Sequence, residues 1–274
     1  MALAIVTVSS VRDIYNDGTY LRANPDAHVS DSFFKFAEML PLLDRIPLPE
    51  GAFAILDIGG GAGVLGHLVS LYFHHRGADV RTVAADLSTD MLEMQRTNNP
   101  FVAETIAGDT VAAFAGGRQY DLTLGIDVFE HMADYRSALR CIQNGSRWLL
   151  CNMPIERNLF DLLRDRYMSG RYYPEQTRSL GHLHFFSYRQ HVKEFSEYFD
   201  VVAVEFSPYW QLITQVSSPS NAQQRTNRLR RLELAISRWV CAIVPWAAPW
   251  IVQGSCYSLS RCTPAGAERC GGET

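Results

Sequence analysis

The chain has 274 residues, a formal net charge of −4 at pH 7 and six cysteines that lack C-x-x-C spacing. This length suits one α/β domain with additional segments, and the excess of acidic residues excludes a global attraction for nucleic acid. The apolar start of the chain is short and has no basic region, so we expect no signal peptide and a cytoplasmic location with reduced thiols.

Residues 1–50 are predicted to form a helical cap ahead of the main domain. Within this cap, Asp31–Arg45 has the pattern of a helix with a broad apolar face, made of Phe33, Phe34, Phe36, Ala37, Met39, Leu40 and Leu43.

A glycine-dense turn then follows an apolar run that contains Asp57. Gly61, Gly63 and Gly66 satisfy the dinucleotide pattern G-x-G-x-x-G, whereas Asp57, Gly59, Gly61 and Gly63 satisfy D-x-G-x-G-x-G. The strand is expected to end just before Gly59, which places Gly61 late for a dinucleotide turn. A carboxylate at the strand tip repels a pyrophosphate but suits the ammonium group of an amino acid. The pattern therefore favours a cationic ligand.

Carboxylates also mark the ends of the next predicted strands. Asp86 ends a strand about 20 residues after the glycines, where a carboxylate can accept both hydroxyls of a ribose. Ser88 is then predicted to cap a helix over Thr89–Asn98. A third strand, Val102–Ile106, leads to Gly108 and Asp109.

The fourth and fifth strands complete the series. Tyr120–Ile126 is a short strand of buried type, and it is followed by Asp127-Val-Phe-Glu130-His131. A fifth strand begins at Arg147 and is predicted to stop at Pro154.

In this order, the motifs resemble those of class I S-adenosylmethionine-dependent methyltransferases over about residues 50–209. The resemblance implies S-adenosyl-L-methionine as the cofactor, an acidic residue facing its methionine end, and a carboxylate at Asp109 approaching the adenine amino group. It also implies that an N-terminal helix closes over cofactor and substrate, although packing on the sheet edge explains the same helix. The implied cofactor-binding residues are Asp57, Gly59, Gly61, Gly63, Asp86, Leu87, Met91, Gly108, Asp109, Asp127 and Val128.

The expected fold is α/β: a Rossmann-like, doubly wound, mostly parallel sheet of seven strands, with helical additions. Asp200–Ser207 is the predicted sixth strand, and Ser255–Cys262 is the seventh, running antiparallel. The methyltransferase domain is predicted over residues 51–263 and a disordered tail over 264–274.

An insertion interrupts the alternation at residues 155–186. It contains an amphipathic stretch, Asn158–Tyr167, and a predicted turn at Tyr172–Pro174. Ser187 and Gln190 have capping-box spacing for a helix that reaches Phe199.

Three histidines are candidate catalytic residues. His131 follows the fourth strand, at the edge where open α/β sheets bind ligands, and His182 and His184 share one face if their segment is extended. A hydroxyl acceptor needs a base, although helix capping by His131 and a structural role for the Gly-His segment stay open. Glu130 and these histidines lack the tight spacing of a metal motif, so we expect no metal.

The segment 222–252 is basic and then rich in tryptophan. Two prolines argue against a membrane-spanning helix. Peripheral contact with a bilayer stays open, as do packing on the sheet and a homodimer contact.

The leading hypothesis is a methyltransferase acting on a small-molecule hydroxyl, such as a sugar, a lipid-linked glycan or a natural product. N- or C-methylation is the alternative within the class. An NAD(P)-dependent oxidoreductase is disfavoured by Asp57 and by the lack of a Tyr-x-x-x-Lys pair around the only lysines, Lys35 and Lys193. A non-catalytic nucleoside-binding module uses the same fold.

Overall fold

A computed structural model describes residues 29–48 and 51–263, and the predicted tail and the first 28 residues of the predicted cap lie outside this part. The strands of the described part are β1 (Ala52–Ile58), β2 (Asp79–Asp86), β3 (Val102–Ala107), β4 (Tyr120–Ile126), β5 (Ser146–Ile155), β6 (Phe199–Pro208) and β7 (Gly254–Cys262). The first helices are α1 (Val29–Leu43), α2 (Val64–His75), α3 (Thr89–Asn98), α4 (Thr110–Ala113) and α5 (Tyr135–Gly145). They are followed by α6 (Leu159–Tyr167), α7 (Tyr172–Leu180), α8 (Tyr188–Tyr198), α9 (Tyr209–Gln215), α10 (Pro219–Thr226), α11 (Arg228–Ile243) and α12 (Ala248–Ile251).

The strands form one sheet of order β3-β2-β1-β4-β5-β7-β6. β1 pairs in parallel with both β2 and β4, whereas β7 runs antiparallel to β5 and β6. This arrangement confirms the predicted doubly wound sheet with its antiparallel last strand. The strand order reverses between β1 and β4, so the carboxyl ends of these strands frame the crevice in which such sheets bind ligands.

Two apolar layers cover the sheet, because alternate side chains of each strand point to opposite faces. Leu56 and Leu149 pack with α5 and α8 on one face, and Ile55 and Leu150 pack with α1 and α2 on the other. Both faces are therefore buried, as a parallel sheet requires.

The predicted helix ends are confirmed where a side chain caps them. The Ser88 hydroxyl accepts a hydrogen bond from the Met91 backbone N–H, and α3 has the predicted bounds. Ser187 and Gln190 form the full capping box of α8.

The predicted apolar face of the N-terminal helix is partly wrong. Phe33 is 66% exposed and Ala37 is also exposed, whereas Ser32, Lys35 and Met39 are buried. The helix turns Lys35 inward because Asp127 of the main domain lies beneath it, which helical periodicity alone does not reveal.

The prediction that Pro154 ends the fifth strand is also wrong. β5 continues to Ile155, and Pro154 pairs with Ser255 of β7. Pairing with β4 has already ended at Asn152, so a residue without an N–H is tolerated on the side that has no partner strand.

The turn predicted at Tyr172–Pro174 is the first turn of α7. Proline is tolerated there because the first N–H groups of a helix have no partner within the helix.

Candidate active site

The glycines of the β1–α2 turn make room for a carboxylate and a neighbouring helix. A Cβ atom at Gly60 or Gly66 would overlap the carboxyl group of Asp57. Gly63 has φ +83°, and a Cβ there would lie 2.7 Å from the Cα atom of Gln95 on α3. The turn therefore brings bare backbone close to the tip of β1, while Gly63 fixes how α2 packs on α3.

Asp57 is 4% exposed at the end of β1. Burial raises its pKa from 3.8 to about 7, and the negative charge of Asp86 contributes to this rise. Ionising this buried carboxyl group costs free energy, and a bound cationic ligand would offset that cost.

Asp86 lies at the end of the neighbouring strand β2. Burial raises its pKa to about 6, although the backbone N–H groups of Ser88 and Leu87 act in the opposite direction. The Ser88 N–H donates to Oδ1 at 2.8 Å, which fixes the carboxyl group at the strand tip.

Asp109 begins α4 beyond β3. Its Oδ1 accepts a hydrogen bond from the Ala112 N–H at 3.1 Å, so this oxygen caps the helix. The N–H of Gly108 donates to the Asp86 carbonyl oxygen, which joins the β2 and β3 tips.

These strand tips surround a cavity of about 790 Å³, within the usual size range of small-molecule sites. Ten of the eleven predicted cofactor residues line it, and the exception is Gly63. Among the described residues that line the cavity, the charged side chains are one lysine and six aspartates: Lys35, Asp31, Asp57, Asp86, Asp109, Asp127 and Asp134.

Lys35 was not predicted as a site residue. Its Nζ lies 2.7 Å from Asp127 Oδ2 and 2.8 Å from Asp31 Oδ2, and the residue is 7% exposed. Burial acts to lower the pKa of Lys35, but the charges of Asp127 and Asp31 outweigh it and hold the pKa well above the usual value. The lysine is therefore charged and ties α1 to the tip of β4.

Asp127 has a left-handed backbone conformation, with φ 51°. Its Oδ1 accepts a hydrogen bond from Asn152 Nδ2 at 2.7 Å, while Oδ2 pairs with Lys35. Such backbone strain in a non-glycine residue is held in place by these two bonds. The only sequence signal for the pair of Lys35 with Asp127 is that one of the chain's two lysines lies in the predicted helical cap.

His131 lines the cavity, whereas His182 and His184 lie outside its lining. The Nδ1 of His131 bonds the Gly181 carbonyl oxygen at 3.2 Å. A carbonyl only accepts, so Nδ1 carries the hydrogen and, in a neutral ring, the lone pair is on Nε2.

His182 and His184 serve different contacts. His182 Nδ1 lies 2.8 Å from Glu156 Oε2, and its ring meets that of His131 edge-on with the centroids 4.9 Å apart. His184 Nε2 donates to the Met132 carbonyl oxygen at 2.9 Å. The structure thus places Glu156, absent from the predicted site, behind His182.

Glu130 is 1% exposed beside this cluster, and its Oε2 has no hydrogen-bond partner among the described residues. Burial and the charge of Asp127 raise the pKa of Glu130 well above its usual range. Its backbone carbonyl accepts the N–H groups of Leu183 and His184, which holds the insertion against the end of β4.

The donor atoms of Glu130, His131 and His182 all lie within 4.8 Å of one another, which is the arrangement a divalent ion requires in outline. His131 Nε2 and Glu130 Oε1 are 3.9 Å apart. Two ligands of a tetrahedral zinc ion are separated by about 3.4 Å, given metal–ligand distances of about 2.0–2.1 Å. The cluster would have to contract to hold zinc.

Comparison with solved structures identifies the fold. A putative methyltransferase of Haloferax volcanii, solved with the Trm112 activator, aligns over 93% of this chain and 98% of its own, with a TM-score of 0.56 and 15% identity. The chain has the class I methyltransferase fold. No family model and no curated protein sequence matches it.

Two further structures of this fold contain S-adenosylhomocysteine. A mycolic acid cyclopropane synthase covers 82% of this chain and 83% of its own, with a TM-score of 0.55 and 14% identity. A phosphoethanolamine N-methyltransferase of Haemonchus contortus covers 94% of this chain and 61% of its own, with a TM-score of 0.55 and 13% identity.

Proposed function

We propose that this chain is an S-adenosylmethionine-dependent methyltransferase that modifies a small molecule, with a hydroxyl oxygen as the acceptor. The observation that carries the proposal is the charge of the cavity. Six aspartates line it, and its one lysine is already paired with two of them. Such a crevice favours a cationic nucleoside and disfavours a diphosphate.

The residues at the strand tips fit this cofactor. Asp86 is fixed by the Ser88 N–H at the position where a carboxylate accepts ribose hydroxyls. Asp57 offers buried negative charge beside the bare backbone of the glycine turn, where an ammonium group is expected. When bound, S-adenosylmethionine supplies a methyl group that its sulfonium makes electrophilic.

The chain then has to position the acceptor and take up a proton. The pair of Lys35 with Asp127 holds α1 at the cavity. Alignment of an acceptor with the methyl group is worth roughly 7–11 kcal/mol in well-oriented reactions. His131 is the proposed base, because Gly181 fixes its Nδ1–H and leaves Nε2 with the lone pair. His182 and Glu156 position the His131 ring, and His184 anchors the loop after β4.

The fold neighbours support the cofactor assignment and leave the acceptor atom open. The cyclopropane synthase and the N-methyltransferase were both solved with S-adenosylhomocysteine. An amine or a carbon acceptor needs less help from a base than a hydroxyl does, so the dependence on His131 separates these cases.

The test combines binding and turnover. Calorimetric titration should show binding of S-adenosylmethionine and S-adenosylhomocysteine and none of NAD⁺; preference for NAD⁺ would refute the proposal. With a panel of hydroxyl acceptors, His131→Ala should lower turnover by about 100-fold or more and leave cofactor affinity within a few-fold. His75→Ala, which removes an exposed histidine at the end of α2 that is not part of the cavity lining, is the matched control.

Equal losses of turnover and cofactor affinity in His131→Ala would assign a structural role to this residue. Full turnover of the same variant with an amine acceptor would favour N-methylation. A chain that binds the cofactor but turns over none of the hydroxyl, amine or carbon acceptors would be a binding module.

A further inference from the structure

Helix α11 presents an unusually apolar outer face. Leu229, Leu232, Ile236, Trp239 and Ile243 recur at intervals of three and four residues along a length of about 21 Å, and each is at least 41% exposed. Beyond a sharp bend, Trp246 is 75% exposed and Trp250 is 49% exposed. Three of the chain's five tryptophans therefore lie on one exposed segment.

A row of arginines runs beside this apolar stripe. Arg228, Arg231 and Arg238 are exposed, and each directly precedes an apolar residue of the stripe. The one acidic residue of α11, Glu233, faces inward and is bound by Arg164 and Arg230. The exposed side is thus purely cationic in a chain with a net charge of −4. The Trp-Arg surface denotes the seven apolar residues and these three arginines.

The helix is held in place by its opposite face. Ser237 and Val240 are buried, and Val240 packs against Ala248 and Val252. The ion pair of Arg164 with Glu233 ties α11 to α6. The Trp-Arg surface is therefore the outer side of a packed helix.

Two occupants fit an apolar helix face, a second copy of the chain or a lipid surface. The spacing matches a coiled-coil seam, in which complementary charges on the flanks set the choice and orientation of the partner helix. On one side of the apolar stripe of α11, the flanking residues are Glu233, which is already bound by Arg164, and Val240, which is 8% exposed. The other flank supplies Arg228 and no acid. The face also bends away after Ile243, so no straight seam continues.

An anionic bilayer satisfies the same features. Helices that lie in a membrane interface insert tryptophan and leucine among the acyl chains while arginines contact the phosphates. Within the described residues, no single helix has the length and apolar character to cross a bilayer; the pair of α11 and Pro245–Ile251, bent by 119°, meets these criteria of length and composition only when taken together. A helix that lies in the plane of the interface needs no spanning length.

We propose that the Trp-Arg surface docks this protein on a membrane that contains anionic lipid, with the apolar stripe in the interface and the three arginines on the lipid phosphates. Helix α9 contacts both α11 and α1, the helix that carries Lys35 into the cavity. Helix α9 therefore links the docked helix α11 to the helix that lines the cavity. The binding itself is independent of the proposed methyl transfer.

Flotation of the full chain with vesicles tests the proposal. One set contains phosphatidylcholine alone, and in the other a third of the lipid is phosphatidylglycerol. Binding should be strong with the anionic vesicles, weak with the neutral ones and reduced by salt. The double variant Arg228→Gln/Arg231→Gln should bind the anionic vesicles about 30-fold more weakly, at about 1 kcal/mol per arginine.

The double variant Trp239→Ser/Trp246→Ser should weaken binding at least about 10-fold. Phe33→Ser removes an equally exposed aromatic residue from α1 and should leave binding unchanged, and unaltered thermal melting would show that all variants fold. Failure of the wild-type chain to float with either set of vesicles would overturn the proposal. Equal binding to both sets, or a dimer in light scattering that the tryptophan variant dissociates without any vesicle binding, would overturn it too.

Discussion

Asp57→Asn removes a buried carboxylate from the tip of β1 and nearly keeps its size. The pKa of Asp57 rises from 3.8 to about 7 on folding, so ionising this group costs the folded cofactor-free protein roughly 4 kcal/mol at about 1.4 kcal/mol per pKa unit. A raised carboxyl pKa means that the folded state binds more protons than the unfolded state between these values. The wild-type free energy of unfolding should therefore fall as the pH rises from about 4 to about 7 and stay level above it.

The measurement is urea unfolding of the cofactor-free wild type and variant at several pH values from 4 to 8. Other raised carboxyl groups, including Asp86, contribute to both curves, so the difference between the curves isolates Asp57. The variant should gain up to about 4 kcal/mol relative to the wild type by pH 7–8, and should bind S-adenosylmethionine more weakly there. Parallel curves would refute the reasoning, because they would mean that Asp57 carries no buried charge.

Three further predictions concern the surroundings of the cavity. Lys35→Met removes the cation that binds Asp31 and Asp127 and should destabilise the fold by about 3–5 kcal/mol in urea unfolding. The matched Lys193→Met, at an exposed lysine, should cost less than about 1 kcal/mol, and similar losses in the two variants would refute the buried pair. Gly63→Ala should cost about 1–3 kcal/mol more than Gly77→Ala, because both glycines have positive φ but only Gly63 is crowded; equal losses would contradict the close packing of α2 on α3. Exhaustive dialysis against a chelator should leave turnover unchanged, and a loss that added zinc restores would instead assign the His131 cluster to a metal.

The sheet could be predicted because its strands are short apolar runs that end in carboxylates. β4 and α3 have the predicted bounds, and β1 to β3 place Asp57, Asp86 and Asp109 at neighbouring tips. Parallel strands of a doubly wound sheet bring such residues together by topology alone. Most of the predicted cofactor set follows from this rule.

The acceptor side could not be predicted in the same way. Lys35 and Asp127 are distant in sequence, and their pairing depends on how α1 crosses the sheet. Glu156 supports His182 only because the insertion folds back against the end of β4. Helical periodicity predicted Phe33 to be buried because it depends on apolar character alone. It contains no information about Asp127, which binds Lys35 on the buried side of the helix.

The charges around the cavity are balanced at Asp127, which pairs with Lys35, and are not balanced in this way at Asp57 and Asp86. The ammonium group of Lys35 binds Asp31 and Asp127, and these ion pairs fix α1. Lys35 therefore does not neutralise the carboxyl groups of Asp57 and Asp86. Burial raises the pKa of both carboxyl groups, and the charge of Asp86 adds to the rise at Asp57, so ionising these groups weakens the cofactor-free fold at neutral pH. A lysine placed between Asp57 and Asp86 would stabilise the fold but would fill the place of a cationic ligand. In the proposed function, this cost of ionisation at the strand tips is what favours a cationic ligand in the crevice.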